Sequence, residues 1–236
     1  MSINIEDNVA RIRERMDRAA GGRPVTLVAA TKMNDAQAVR RAIAAGVDAC
    51  GENRVQEMME KLGQDAYAGA PLHFIGSLQK NKVKFVVGNC DLIHSVNSVE
   101  LLEAIARKAA ALDIVQDVLL EVNIAAEASK TGFLPEYLPQ LLESAGNFSS
   151  VRVRGLMAIP PIAEKPGENR RYFAQMRELF IDIGAKKYDN VTMDFLSMGM
   201  SEDFEDAIAE GSNMIRVGSA IFGPRNYGTA PGTPGI

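Results

Sequence analysis

The chain has 236 residues, 47% of them hydrophobic and 24% charged, with a formal net charge of -4. It is long enough for one large α/β core, and its mixed, slightly acidic charge offers no basic face to nucleic acid or to anionic lipid. Cys50 and Cys90 stand apart without CxxC or ligand spacing, so neither a disulfide framework nor a metal site is expected. Both cysteines read as small buried hydrophobes in a reducing compartment. The first residues, Met1 to Asp7, are acidic and amphipathic, and no run approaches about 18 apolar residues, so the expectation is a cytoplasmic protein that does not meet the membrane.

An amphipathic helix is predicted at 4–19, followed by apolar strands near 25–32, 48–52, 72–76, 92–96, 117–124, 151–159, 192–198 and 213–218. Helical stretches lie between them. The stretch from Ala36 to Ala45 has Val39, Ala42 and Ile43 at helical spacing, an Asn34 or Asp35 cap, and Gly46 beyond its end. Further helices start near Arg54, Lys80, Ser98, Pro135, Glu168 and Ser201. Short, nearly continuous apolar strands joined by helices indicate a parallel sheet covered on both faces. Eight such units predict an α/β fold, a single (β/α)8 TIM-type barrel over residues 1–227 with an extra N-terminal helix. A doubly wound open sheet is the alternative. Residues 228–236, glycine- and proline-rich and without apolar pattern, read as a disordered tail.

Barrel chemistry belongs at the carboxyl ends of the strands, with phosphate sites commonly formed by the loops after strands seven and eight. Lys32 closes the first apolar run, where partial desolvation readies an amine to attack an aldehyde; a solvated strand-terminal lysine is the plain alternative. After strand seven come Met200 and Ser201, with Ser201 as a helix cap ahead of Glu202-Asp203. After strand eight come Gly218, which permits close approach to a phosphate, and Ser219, a hydroxyl donor. Alternation along a strand puts Lys32 in one interior row with Ala30, Val28 and Thr26, and Arg216 in another with Met214 and Gly218. A guanidinium there needs a partner, and Asp194 is the candidate for a purely structural pair. Amine, phosphate turn and interior arginine together describe a site for pyridoxal 5′-phosphate.

The segments Val28-Ala29-Ala30-Thr31-Lys32, Gly51-Glu52-Asn53-Arg54-Val55-Gln56-Glu57, His73-Phe74-Ile75-Gly76-Ser77-Leu78-Gln79-Lys80-Asn81-Lys82, Gly155-Leu156-Met157-Ala158-Ile159, Ser197-Met198-Gly199-Met200-Ser201 and Arg216-Val217-Gly218-Ser219-Ala220-Ile221-Phe222-Gly223 resemble the pyridoxal phosphate homeostasis protein family. The match runs from residue 25 to about 227, and the family's barrel is similar to that of alanine racemase. The resemblance implies a cofactor-holding protein of vitamin B6 and amino-acid balance, without a secure catalytic reaction. It places an imine on Lys32, the phosphate on Ser201, Gly218 and Ser219 with the Met200 backbone, and the pyridine nitrogen opposite Arg216. Thr31 stands where the family often has serine. Asn53 is a candidate ring partner or a helix cap. His73 is a cavity or proton-transfer group or a structural histidine, and His94 a weaker candidate of the same kind. Met157 and Met200 are candidates to pack against the ring, although methionines near strand ends are more often core filler. Lys130 is a loop lysine or a second aldehyde-reactive amine.

Three functions compete: a carrier or buffer of the cofactor that serves apo pyridoxal phosphate enzymes, a slow amino-acid racemase or decarboxylase on the same imine, and a Schiff-base aldolase of phosphorylated sugars. The short distance from strand eight to Ile236 argues against a racemase's second domain. An early rather than late strand for Lys32 argues against the aldolase. A monomer or weak homodimer is expected.

Overall fold

A computed structural model describes residues 4–224, so the glycine-rich tail lies outside the described residues. Helix α1 (Ile5–Ala20) starts where the Asn4 side chain accepts the Asp7 amide hydrogen and stops at Gly21, which adopts a left-handed φ of 57°. Ile5, Val9, Ile12, Met16 and Ala20 form its buried stripe. An isolated helix of this length is marginal in water, so this stripe, not propensity, holds it in place.

Eight parallel strands follow: β1 (Thr26–Ala30), β2 (Ala49–Glu52), β3 (Leu72–Phe74), β4 (Leu92–Val96), β5 (Gln116–Val122), β6 (Val151–Ala158), β7 (Val191–Ser197) and β8 (Met214–Val217). They pair in sequence order and close, β8 against β1, into a barrel. The open-sheet alternative is therefore excluded. Between the strands run α2 (Ala36–Ala44), α3 (Val55–Gly63), α4 (Val83–Val86), α5 (Val99–Ala111), α6 (Leu138–Ala145), α7 (Arg170–Gly184) and α8 (Phe204–Ala209), with α9 (Ser219–Phe222) after β8. Asp35 and Ser98 cap α2 and α5 through their side chains.

Alternation sorts each strand's residues. Val28, Ala49, Leu92, Leu119, Met157 and Met214 plug the barrel axis, Met157 as the core filler expected of it. Leu27, Ala29, Ile215 and Val217 turn outward and meet α1 and the helices around β8. Cys50 and Cys90 are both buried in the outer core as free thiols, and burial pushes each thiol up to about 12.

Two departures bear on the site. Strand β3 ends at Phe74, where Ile75 makes a ladder bond to the Glu52 carbonyl, and beyond it Gly76 passes so near β2's end that an added Cβ would lie 2.1 Å from the Asn53 carbonyl oxygen. The helix expected from Ser201 begins at Phe204, because residues 201–203 form a turn that Asp203 closes by accepting the Met200 amide hydrogen at 2.8 Å.

Candidate functional site

At the carboxyl ends of the strands the barrel gathers most of the residues singled out from sequence. Lys32 lies two positions past β1 and is half-buried, and Asn53 lies one past β2. His73 and His94 are buried on neighbouring strands, β3 and β4. Arg216 sits on β8 level with Val28 of β1, which places it inside the barrel.

Arg216 is 5% exposed and does not meet Asp194, which instead takes Arg154 and Thr192. Its Nη1 donates to the Ser197 carbonyl at 2.9 Å and the Ser197 hydroxyl at 2.7 Å, and Nη2 donates to the Ala158 carbonyl at 3.1 Å. Among the described residues no carboxylate forms an ion pair with it. Burial brings its pKa down to about 10, with Asp203 and Glu121 opposing from a distance. A buried cation satisfied by neutral oxygens alone is a centre of positive potential without its counter-ion.

The guanidinium also orders a chain of neutral groups. Ser197 Oγ takes a hydrogen from Arg216, and we assign its own proton to His94 Nδ1, 3.1 Å away. His94 then carries its hydrogen on Nε2 and donates to His73 Nδ1 at 3.1 Å, leaving His73 protonated on Nε2. The opposite assignment, with both rings protonated on Nδ1 and Ser197 Oγ accepting twice, makes the same contacts. In either case burial keeps the rings neutral, lowering His73 to about 4 and His94 well below its usual value, the latter helped by His73 and the Arg216 charge.

The loops after β7 and β8 are tied together by Ser201. It does not cap α8: its hydroxyl oxygen accepts the amide hydrogens of Gly218 at 3.3 Å and Ala220 at 3.4 Å. Gly218 has an ordinary negative φ, and its smallness serves contact with Ala30, whose Cβ would lie 3.3 Å from an added Cβ. Ser219 is exposed at the start of α9. The Met200 amide is engaged by Asp203, so the backbone donor assigned to an anion there already has an acceptor.

Asn53 is not a helix cap, since Arg54 holds that position without a side-chain bond. Its Oδ1 is buried without a partner, an orphan acceptor at the mouth. Lys130 forms an ion pair with Glu127 Oε1 at 2.8 Å and donates to the Pro160 carbonyl at 2.9 Å and the Ile159 carbonyl at 3.4 Å. It ties two loops together.

Two groups escaped the sequence reading. Glu121 shares the interior parity of Leu119, receives the Thr131 hydroxyl at 2.9 Å, and is raised by burial against the pull of Thr131 and Arg216. Its signal was the acid that interrupts the apolar residues 118–122 of β5. Ser197, the link between Arg216 and His94, passed as part of a motif. The whole arrangement offers an amine, an uncompensated cation, a hydroxyl-bridged loop pair and an orphan acceptor. It suits a small anionic ligand with a carbonyl carbon and a polar ring.

The alanine racemase N-terminal domain matches residues 2–226. A pyridoxal phosphate homeostasis protein of Aquifex aeolicus is 40% identical over 95% of this chain and 100% of its own length. One of Pseudomonas aeruginosa is 42% identical over 95% of this chain and 96% of its own. PipY of Synechococcus elongatus, solved with PLP bound, is 34% identical with a TM-score of 0.79, covering 93% of this chain and all of PipY.

Proposed function

Because the chain belongs to the pyridoxal phosphate homeostasis protein family, we propose that it holds pyridoxal 5′-phosphate in the barrel mouth as an imine on Lys32 and hands it on to apo-enzymes. The observation that carries the reading is Arg216, a buried guanidinium with no carboxylate partner among the described residues, level with the strand that leads to Lys32. The orphaned Asn53 Oδ1 and the Ser201 bridge between the last two βα loops fit the same ligand. When bound, the cofactor supplies an aldehyde to an amine and an electron-withdrawing ring. Lys32 Nζ provides the nucleophile. Ser201, Gly218 and Ser219 provide the phosphate side, and Asn53 and His73 flank the ring.

Arg216 supports a limit on how far such a site goes toward catalysis. A guanidinium keeps its proton, so a ring nitrogen facing it stays unprotonated and the ring is a weaker electron sink. The neutral His94 and His73 add no second cation. Holding the cofactor is favoured over turning a substrate over.

Incubation with pyridoxal phosphate, borohydride reduction and peptide mass spectrometry test the site. A phosphopyridoxyl label on Lys32, absent from Lys32→Ala, is expected; a label elsewhere, or none, defeats the assignment. Carrier function is tested by transfer to an apo-enzyme faster than free release allows.

A further inference from the structure

The turn that carries Lys32 is gripped from behind, on the side of the sheet away from the barrel axis. Gly51 of β2 faces inward against Val28 and Ile75, so Glu52 turns outward, fully buried, beneath α3. Glu52 Oε1 accepts the Thr31 hydroxyl at 2.6 Å, Lys61 Nζ at 2.6 Å and the Tyr67 hydroxyl at 3.0 Å. Lys61, 6% exposed on α3, also donates to the Thr31 carbonyl at 2.7 Å. One turn earlier on α3, Glu57 Oε2 accepts the Met33 amide hydrogen at 2.7 Å. Met33 has a φ of 61°, a left-handed conformation that a side chain adopts only where its surroundings impose it.

An ion pair this deeply buried loses much of its attraction to desolvation and is a poor device for stability alone. Apart from the Tyr67 hydroxyl, its remaining hydrogen-bond partner is Thr31, and Glu57 holds Met33, the two neighbours of Lys32. We propose that Glu52, Lys61 and Glu57 are positioning residues for Lys32: through the backbone of residues 31–33 they fix the direction in which the amine leaves the sheet. This rests on Lys32 being the reactive amine. Thr31 supplies the hydroxyl that makes the grip two-sided, so serine there would keep the function and valine would not.

Single changes at Glu52 or Lys61 would strand a buried charge, so the test uses Thr31→Val, Thr31→Ser and Glu57→Ala in the full chain. In the cofactor-free protein, amide hydrogen exchange at residues 32–34 is expected to quicken about tenfold in Thr31→Val and Glu57→Ala and to recover in Thr31→Ser, with β4 and β5 unchanged. With pyridoxal phosphate as probe, borohydride-trapped labelling of Lys32 is expected to slow about tenfold in the same two variants, with a shifted pH profile, and again to recover with serine. Unchanged exchange overturns the clamp, and so does quickened exchange with unchanged labelling. Absence of label in the unaltered chain overturns the cofactor reading instead, and exchange then decides the clamp on its own.

Discussion

His94 bonds Ser197 through one ring nitrogen and His73 through the other, and burial disfavours a second proton on either ring. The pH dependence follows. His73 is lowered from 6.5 to about 4, so between those values the unfolded chain binds a proton that the folded one refuses. Stability therefore falls as pH drops through that window, by about 3 kcal/mol for this one group. The exposed Glu6, lowered to about 2 by Arg41, gives way mainly below the window. Urea unfolding at steps from pH 7.5 to 4 checks this, and a flat stability across the window would refute it. Nitrogen-15 NMR should show both rings neutral at pH 6, hydrogen on Nε2. Lys32, His73 and Arg216 were legible because strand parity and loop position locate single side chains. Glu52 and Lys61 were not, because their pairing joins an outward strand residue to a helix face that reads as apolar around Met58.

At the level of elements, β6 carries a constraint that the pattern of apolar residues hides. Its pairing with β7 slips between Val153 and Gly155, where φ is 146° and an added Cβ would lie 1.9 Å from the Phe195 carbonyl oxygen. Gly155→Ala must push two strands apart or break the ladder. A loss of about 3 kcal/mol is expected, lowering Tm by roughly 6–12 °C for a chain of this size, as thermal unfolding followed by circular dichroism would show. A Tm within a degree or two of the unaltered protein would contradict it. Strand identity was legible from short apolar runs, and most boundaries fell within two residues. What escaped was the loop chemistry between them: Ser201 reads as a cap by residue type, yet Asp203 closes the turn and frees the hydroxyl to bridge to Gly218 and Ala220.

For the molecule as a whole, counting alternations gave the barrel, while its seal depends on partners far apart in the chain. The α1 stripe packs with Leu27 and Ala29 of β1 and with Phe204, Ile208, Ile215, Val217, Ile221 and Phe222. Removing residues 1–22 uncovers that apolar surface across the β1–β8 seam. The shortened protein is expected to bind 8-anilinonaphthalene-1-sulfonate strongly and to lose its cooperative thermal transition; a sharp transition with weak dye binding would show that the barrel closes without the helix. The pattern made α1 amphipathic but could not name its partners, since apolar spacing says how much of a face is covered and not by what.

The seam also sets an order in time. At roughly 5–20 residues per second, β1 and the Lys32 turn leave the ribosome on the order of 10–40 s before β8 exists to pair with them. Until then the α1 stripe has only part of its cover, and the amine has no opposite wall. The nascent chain thus carries the proposed site unassembled and the apolar stripe of its leading helix partly uncovered. Cofactor cannot template early folding here, because the residues proposed to grasp its two ends come from opposite ends of synthesis.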